Sequence, residues 1–164
     1  MTYTSIIPIL SSVAKDVRLS EGDSQLDSML ILRDSVVPYL DESRPVSEKF
    51  HAVATLFLAA LNVLVDRNPP CDENFIISSL YDTYTRKNHD YGNAWEKELD
   101  MFGIIAMHIR MYEKLNRIVT LLSKPDEQQV KDESVSDTLS DICNYCVMTA
   151  MWMFEHHTAQ ELGI

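Results

Sequence analysis

The run AVATLFLAALNVLV, Ala52 to Val65, constrains the chain more than any other stretch. It is too apolar to lie on a surface and too short to span a bilayer, which takes roughly 20 apolar residues. A helix here must be buried on most sides, either at the centre of a helical core or at a subunit interface. The segments around it are also helical in pattern. Thr4 to Leu19 places Ile6, Ile7, Leu10, Val13, Ala14 and Val17 on one face at three- and four-residue steps. A second segment runs from about Ser24 to Leu40, and Pro38 weakens its end. The turn DESRPVS then leads into the apolar helix, about Val46 to Asp66. RNPPCDE stops that helix and offers Asp72 as the N-cap of the next, about Glu73 to Asn88. That helix turns Ile76, Leu80 and Tyr84 toward the core. Beyond residues 86–103 come a helix from about Phe102 to Leu122, the acidic turn SKPDEQQ, and a last long helix from about Val130 to His156. Strand-like alternation is absent. The expected fold is all-α, one domain over residues 1–164 with five or six helices, of which residues 1–70 form the N-terminal set.

Charge and cysteines narrow the function classes. A formal net charge of −11 leaves no spare basic surface for a nucleic-acid backbone or an anionic membrane. A small anion is still compatible, because a few local cations or a divalent metal reverse the field at one site. Only four glycines argue against a glycine-rich phosphate loop. Cys71, Cys143 and Cys146 are an odd set without a secretory segment, which points to free thiols in a reducing cytoplasm. Cys143 and Cys146 form C-x-x-C in the middle of a helical pattern, not at the helix N-terminus a redox pair uses. No further ligands at zinc spacing accompany them. Small buried core residues are the expected role.

The last helix carries the most pointed spacing. Glu133, Asp137, Asp141 and Asn144 follow one another at intervals of four, four and three, which stacks them on one helical face. Mg²⁺ would relieve the repulsion along such a stripe, since carboxylate oxygens are its natural ligands. The alternative is a solvated acidic face near a helix N-terminus, favoured by the dipole. That explains Glu133 better than Asp141, which is flanked by Leu139, Ile142 and Cys143. The preceding helix brings Glu113 and Asn116, with Arg110, Lys114 and Arg117 nearby. This set suits either a second metal ligand among phosphate-binding cations or surface ion pairing.

Residues 86–103, RKNHDYGNAWEKELDMFG, interrupt the helices with unusual chemistry. KNHDYGNAW, Lys87 to Trp95, resembles the K-N-x-D-Y-G-x-x-W signature of the nucleotide modification associated domain family, type 1, found largely in bacteriophages. KLNRIVTL and ESVSDTLSDICNY resemble two later blocks of that family, so the similarity covers roughly residues 73–155. It implies a role in nucleotide metabolism. A more distant similarity is to the all-α NTP pyrophosphohydrolases, the MazG-like and dimeric dUTPase group. That likeness implies a four-helix core in the C-terminal half with the N-terminal helices packed on it, a homodimer or higher homo-oligomer, and Mg²⁺. Those enzymes hold the metal with E-x-x-E on one helix and E-x-x-D on the next. Here the first pair is Glu113 and Asn116, and the second is Thr138 and Asp141, with Asp137 one residue earlier.

On these resemblances the first expectation is a Mg²⁺-dependent hydrolase that releases monophosphate and pyrophosphate from a (deoxy)nucleoside triphosphate. Glu113, Glu133, Asp137 and Asp141 would hold metal, with Asp137 and Asp141 catalytic and Arg110 and Arg117 stabilising phosphoryl charge. Lys87 and Lys114 would reach phosphate, and Asn88, Asp90 and Asn144 polar groups of the nucleotide. Tyr91 and Trp95 would stack on the base, or else plug the core beside a turn reversed at Gly92. The alternative is a non-catalytic nucleotide-binding module, a sensor or sponge. A third reading is a helical interaction protein using CVMTAMWMFEHH as core or subunit contact.

Overall fold

The computed structural model describes residues 1–14, 24–127 and 134–164. Those residues form eight α-helices and no strand: α1 (Tyr3–Val13), α2 (Gln25–Ile31), α3 (Val46–Arg67), α4 (Glu73–Tyr91), α5 (Ala94–Phe102), α6 (Ile105–Ser123), α7 (Val135–His156) and α8 (Ala159–Leu162). The all-α reading holds. The expected extension of the first helix to Leu19 and of the last back to Val130 falls partly outside the described residues, as does Glu133.

The apolar run lies inside α3, where Phe50, Val53, Ala54, Leu56, Phe57, Ala60 and Leu61 are fully buried. With the residues on either side of the run, α3 reaches 22 residues and is long and apolar enough, by length and composition, to cross a membrane. Its apolar surface is instead turned to protein, chiefly α7, in the most extensive helix pairing of the molecule. α7 answers with Leu139, Ile142, Cys143, Cys146, Val147, Ala150 and Met153, all inaccessible to solvent. Each such Val, Leu, Ile, Phe or Met side chain contributes about 1.5–3 kcal/mol relative to exposure. The two C-x-x-C thiols are therefore core atoms. Both are free, and burial pushes both well above the ordinary thiol range. Around this pair α1, α4 and α8 pack against α3, and α5 and α6 against α7, while α2 packs on α6.

Three boundaries differ from the sequence reading, each for a local reason. The segment expected as one helix from Ser24 to Leu40 is α-helical to Ile31, π-helical over Leu32–Val36 and 3₁₀-helical over Val37–Leu40. Pro38 has no N–H and its ring crowds the carbonyl four residues back, and the winding widens immediately before it. α4 continues to Tyr91, so Lys87, Asn88, Asp90 and Tyr91 stand on a helix and only Gly92 and Asn93 interrupt it. The segment 94–102 is helical as well, and Gly103 at φ +66° separates α5 from α6. α5, set off by those breaks, and the short α8 raise the helix number above five or six. The expected N-cap is present, with Asp72 accepting from the Phe75 N–H at 2.9 Å.

Gly92 closes α4 in the left-handed region, φ +58° and ψ +50°, and its N–H bonds the Asn88 carbonyl. Asn93 follows at φ +56°, a conformation asparagine tolerates better than most residues. Nothing lies within 4 Å of a Cβ built on Gly92, so a side chain there meets backbone strain and no clash. Gly92→Ala is expected to lower unfolding free energy by about 1–2 kcal/mol in urea titration without changing the helical circular dichroism. A neutral result would remove the left-handed cap.

Candidate functional site

The site forms where the end of α4 and the start of α5 lean on the middle of α7. A cleft there contains about 760 Å³ of free space, its open mouth included, between Lys87, Asn88 and Tyr91 of α4, Trp95 and Glu98 of α5, and Asp141, Asn144, Tyr145 and Met148 of α7. α4 brings its motif residues to this place because Ile76 and Leu80, on its buried face, set its rotation. α7 brings Asp141 and Asn144 because they alternate with core positions on a helix packed against α3.

Asp141 is the electrostatic centre. Its Oδ1 accepts from Lys87 Nζ and its Oδ2 from Lys114 Nζ, each at 2.9 Å. The two lysines come from α4 and α6, so one carboxylate ties three helices together. Burial pushes the Asp141 carboxyl up, but the lysine bonds outweigh it and hold the group below the usual carboxylate range. Burial likewise lowers Lys87, and Asp141 more than compensates. Two ammonium groups on one carboxylate leave a local positive charge within a strongly acidic chain. Arg110, 3.4 Å from Glu98, and Lys114 both lie over the Tyr145 ring, 5.6 and 5.5 Å from its centroid, where the ring face attracts cations.

The aromatic residues divide by exposure. Trp95 is a wall of the cleft: it is 7% exposed, its indole N–H donates to Thr149 Oγ1 at 3.1 Å, and its ring meets Tyr145 edge-on at 4.6 Å. Tyr91 stands in solvent, 70% exposed, at the rim. Tyr84 stacks on Tyr3 of α1 with centroids 4.7 Å apart. The Tyr3 hydroxyl donates to Oδ1 of the buried Asn144, and burial pushes the Tyr3 phenol far above its ordinary range.

The structure thus brings together Lys87, Asn88, Tyr91, Trp95, Lys114, Asp141 and Asn144, with Arg110 beside them. Other sequence candidates have different surroundings. Asp137 Oδ2 accepts from the Ser134 hydroxyl and N–H at 2.7 and 3.0 Å, a reciprocal capping box that begins α7. Glu113 is 70% exposed at its side chain and 3.8 Å from Arg110. Asp90 is exposed, 3.2 Å from His89. Arg117 lies one turn beyond Lys114 on α6. Asn116 accepts from Arg33 at 3.0 Å. Tyr3, Tyr145 and Glu98 were not singled out by sequence, and Tyr84 was read only as a core residue. Tyr145 sits inside the NY of the last motif, whereas nothing near Tyr3 announces a partner 141 positions away.

Among the described residues no three Asp, Glu, His or Cys side chains gather into a group able to hold a metal. Both Asp141 oxygens are engaged by ammonium groups, one Asp137 oxygen by a cap, and the field between the lysines favours an anion over a dication. In this arrangement the described donor set does not fit Mg²⁺.

Residues 87–153 match the family model described as Nucleotide modification associated domain 1, from the lysine of the motif to near the end of α7. The resemblance read from KNHDYGNAW holds over that segment, and the family's name attaches it to nucleotide modification. No curated protein and no solved structure matches the chain.

The depressed Asp141 carboxyl has a definite pH signature. Its ion pairs contribute fully above the unfolded value, about 3.9, and fade as pH falls toward the lower folded value. Asp141→Asn is expected to be less stable than the parent by about 1 kcal/mol at pH 7, with the two thermal transitions converging below about pH 4. A gap unchanged at pH 3 would mean that the lost contribution is not the ion pair.

Proposed function

We propose that the cleft between α4, α5 and α7 binds a nucleotide, with its phosphate taken by Lys87 and Lys114 and its base lodged against Tyr84, Trp95, Tyr145 and Met148. The observation that carries this reading is the pair of lysine ammonium groups converging on Asp141, which lines an aromatic cleft. A lone carboxylate between two ammonium groups holds them where a phosphate would be received. The matched family name agrees in chemical class. Such a site exploits local charge against the global field: the chain repels anions at long range, and two lysines in a partly desolvated cleft reverse that within a Debye length of about 8 Å.

The lysines act as point charges with rotatable donors, so they accommodate a mono-, di- or triphosphate without bidentate geometry. Arg110, beside Tyr145, would meet a longer phosphate chain. Tyr91 at the rim covers the guest from outside. In this reading the chain binds, orients and shields a nucleotide, as a module of the sensor or sequestering kind. The exposure of Glu113 and the cap that engages Asp137 weigh against the hydrolase expected from their spacing.

The test incubates the full chain with each common NTP and dNTP, with and without Mg²⁺. Nucleotides and pyrophosphate are resolved by chromatography and binding is followed by calorimetry. Binding without metal and without product is expected, and Lys114→Met should weaken it at least about tenfold, the loss of one charge-assisted hydrogen bond. Monophosphate plus pyrophosphate formed only with Mg²⁺ would make the chain a pyrophosphohydrolase instead. Affinity unaffected by Lys114→Met would displace the phosphate from this cleft.

A further inference from the structure

Asn144 has a feature that phosphate binding does not use. It is 6% exposed and lines the cleft, yet its side chain's only hydrogen bond among the described residues is the one Oδ1 accepts from Tyr3. No buried side-chain nitrogen or oxygen among those residues lacks a partner. The small exposed part of Asn144 therefore includes Nδ2, and the residue lines the cleft. An amide with its oxygen committed presents only N–H donors. Turning the amide over would leave the buried Tyr3 O–H without an acceptor, whereas without that hydroxyl the amide presents either face at similar energy.

We propose that the Tyr3 hydroxyl locks the Asn144 amide with its N–H donors toward the guest, so that the site selects a keto nucleobase over an amino one. This rests on the nucleotide reading above. One helical turn, roughly 5 Å, separates Asp141 from Asn144, about the span a pentose sets between phosphate and base. Asn144 is also level with the apolar walls where a base would lie. Uracil, thymine and guanine offer an exocyclic carbonyl to such a donor. Cytosine and adenine offer an amine in the same place, which sets N–H against N–H and leaves both unpaired where the base lies against the walls. A site built to hydrogen-bond one group rejects the analogue that cannot answer it. Tyr3 is then a positioning residue, acting through Asn144, and α1 has a part in specificity although it lies at the far end of the chain.

The experiment compares nucleotides within one ring class, at equal sugar and phosphate, by calorimetry on the full chain without divalent metal: dUTP against dCTP, and dGTP against dATP. At least one keto member should bind about tenfold tighter than its amino counterpart. In Tyr3→Phe that ratio should shrink to about threefold or less, while affinity for inorganic pyrophosphate stays unchanged. A purely structural role for Tyr3 would weaken all four nucleotides alike and preserve the ratio, overturning the proposal. Equal affinities for keto and amino partners in the parent protein would overturn it without any variant, leaving nucleotide binding intact. Failure of all four to bind would instead remove the nucleotide reading, and this proposal with it.

Discussion

Everything in this molecule depends on the packing of α3 against α7. α3 is the most apolar segment in the chain and must be covered, and α7 covers it with an almost unbroken row of buried residues. Once that face of α7 is committed, the rest of its circumference is assigned by helical geometry. Thr138, Asn144 and Thr149 are carried close to the core as buried polar groups. Asp141 and Tyr145 fall at the boundary between core and solvent. The functional candidates on α7 are held in place by a hydrophobic contact on its opposite side. That is why the site is built on helices and not on a loop, and why its geometry resists local change.

The same constraint accounts for what was legible in the sequence. Period and composition were sufficient for the helices, because the apolar face of each must meet the core. Asp72 and Gly92 were readable as start and stop signals because capping is decided within four residues. The π-helical stretch before Pro38 and the break at Gly103 were less readable, since a proline or glycine can bend, end or merely weaken a helix, and packing selects among those outcomes. Asp137 is the instructive case. Its spacing from Asp141 suggested a metal stripe, while its spacing from Ser134 equally spelled a capping box. One oxygen is engaged by the cap, which is the shorter-range and fully local of the two interactions.

What the sequence concealed is non-local by nature. Lys87 and Lys114 are separated from Asp141 by 54 and 27 positions, and only the fold brings all three to one point. A carboxylate surrounded by like charges in the chain reads as a candidate metal ligand. Surrounded by two ammonium groups in space, the same carboxylate is a counter-ion. The change of reading follows from Coulomb's law: a group's nearest partners fix its character, and at partial burial they are weakly screened.

Tyr3 extends this point to the N-terminal helices, whose purpose the motif region alone does not explain. The matched family segment begins at residue 87, yet the aromatic stack of Tyr3 on Tyr84 and the bond from Tyr3 to Asn144 run from α1 into the cleft. A buried asparagine needs a partner for its carbonyl, and none of its neighbours on α7 supplies one. The hydroxyl comes from the first turn of the first helix, held by a Thr2–Ser5 capping box and anchored through Ile6 and Leu10, which solvent does not reach. Removing α1 would therefore uncover the core and also free the Asn144 amide. The N-terminal helices belong to the site as much as to the core, because the donor that completes its polar chemistry is theirs.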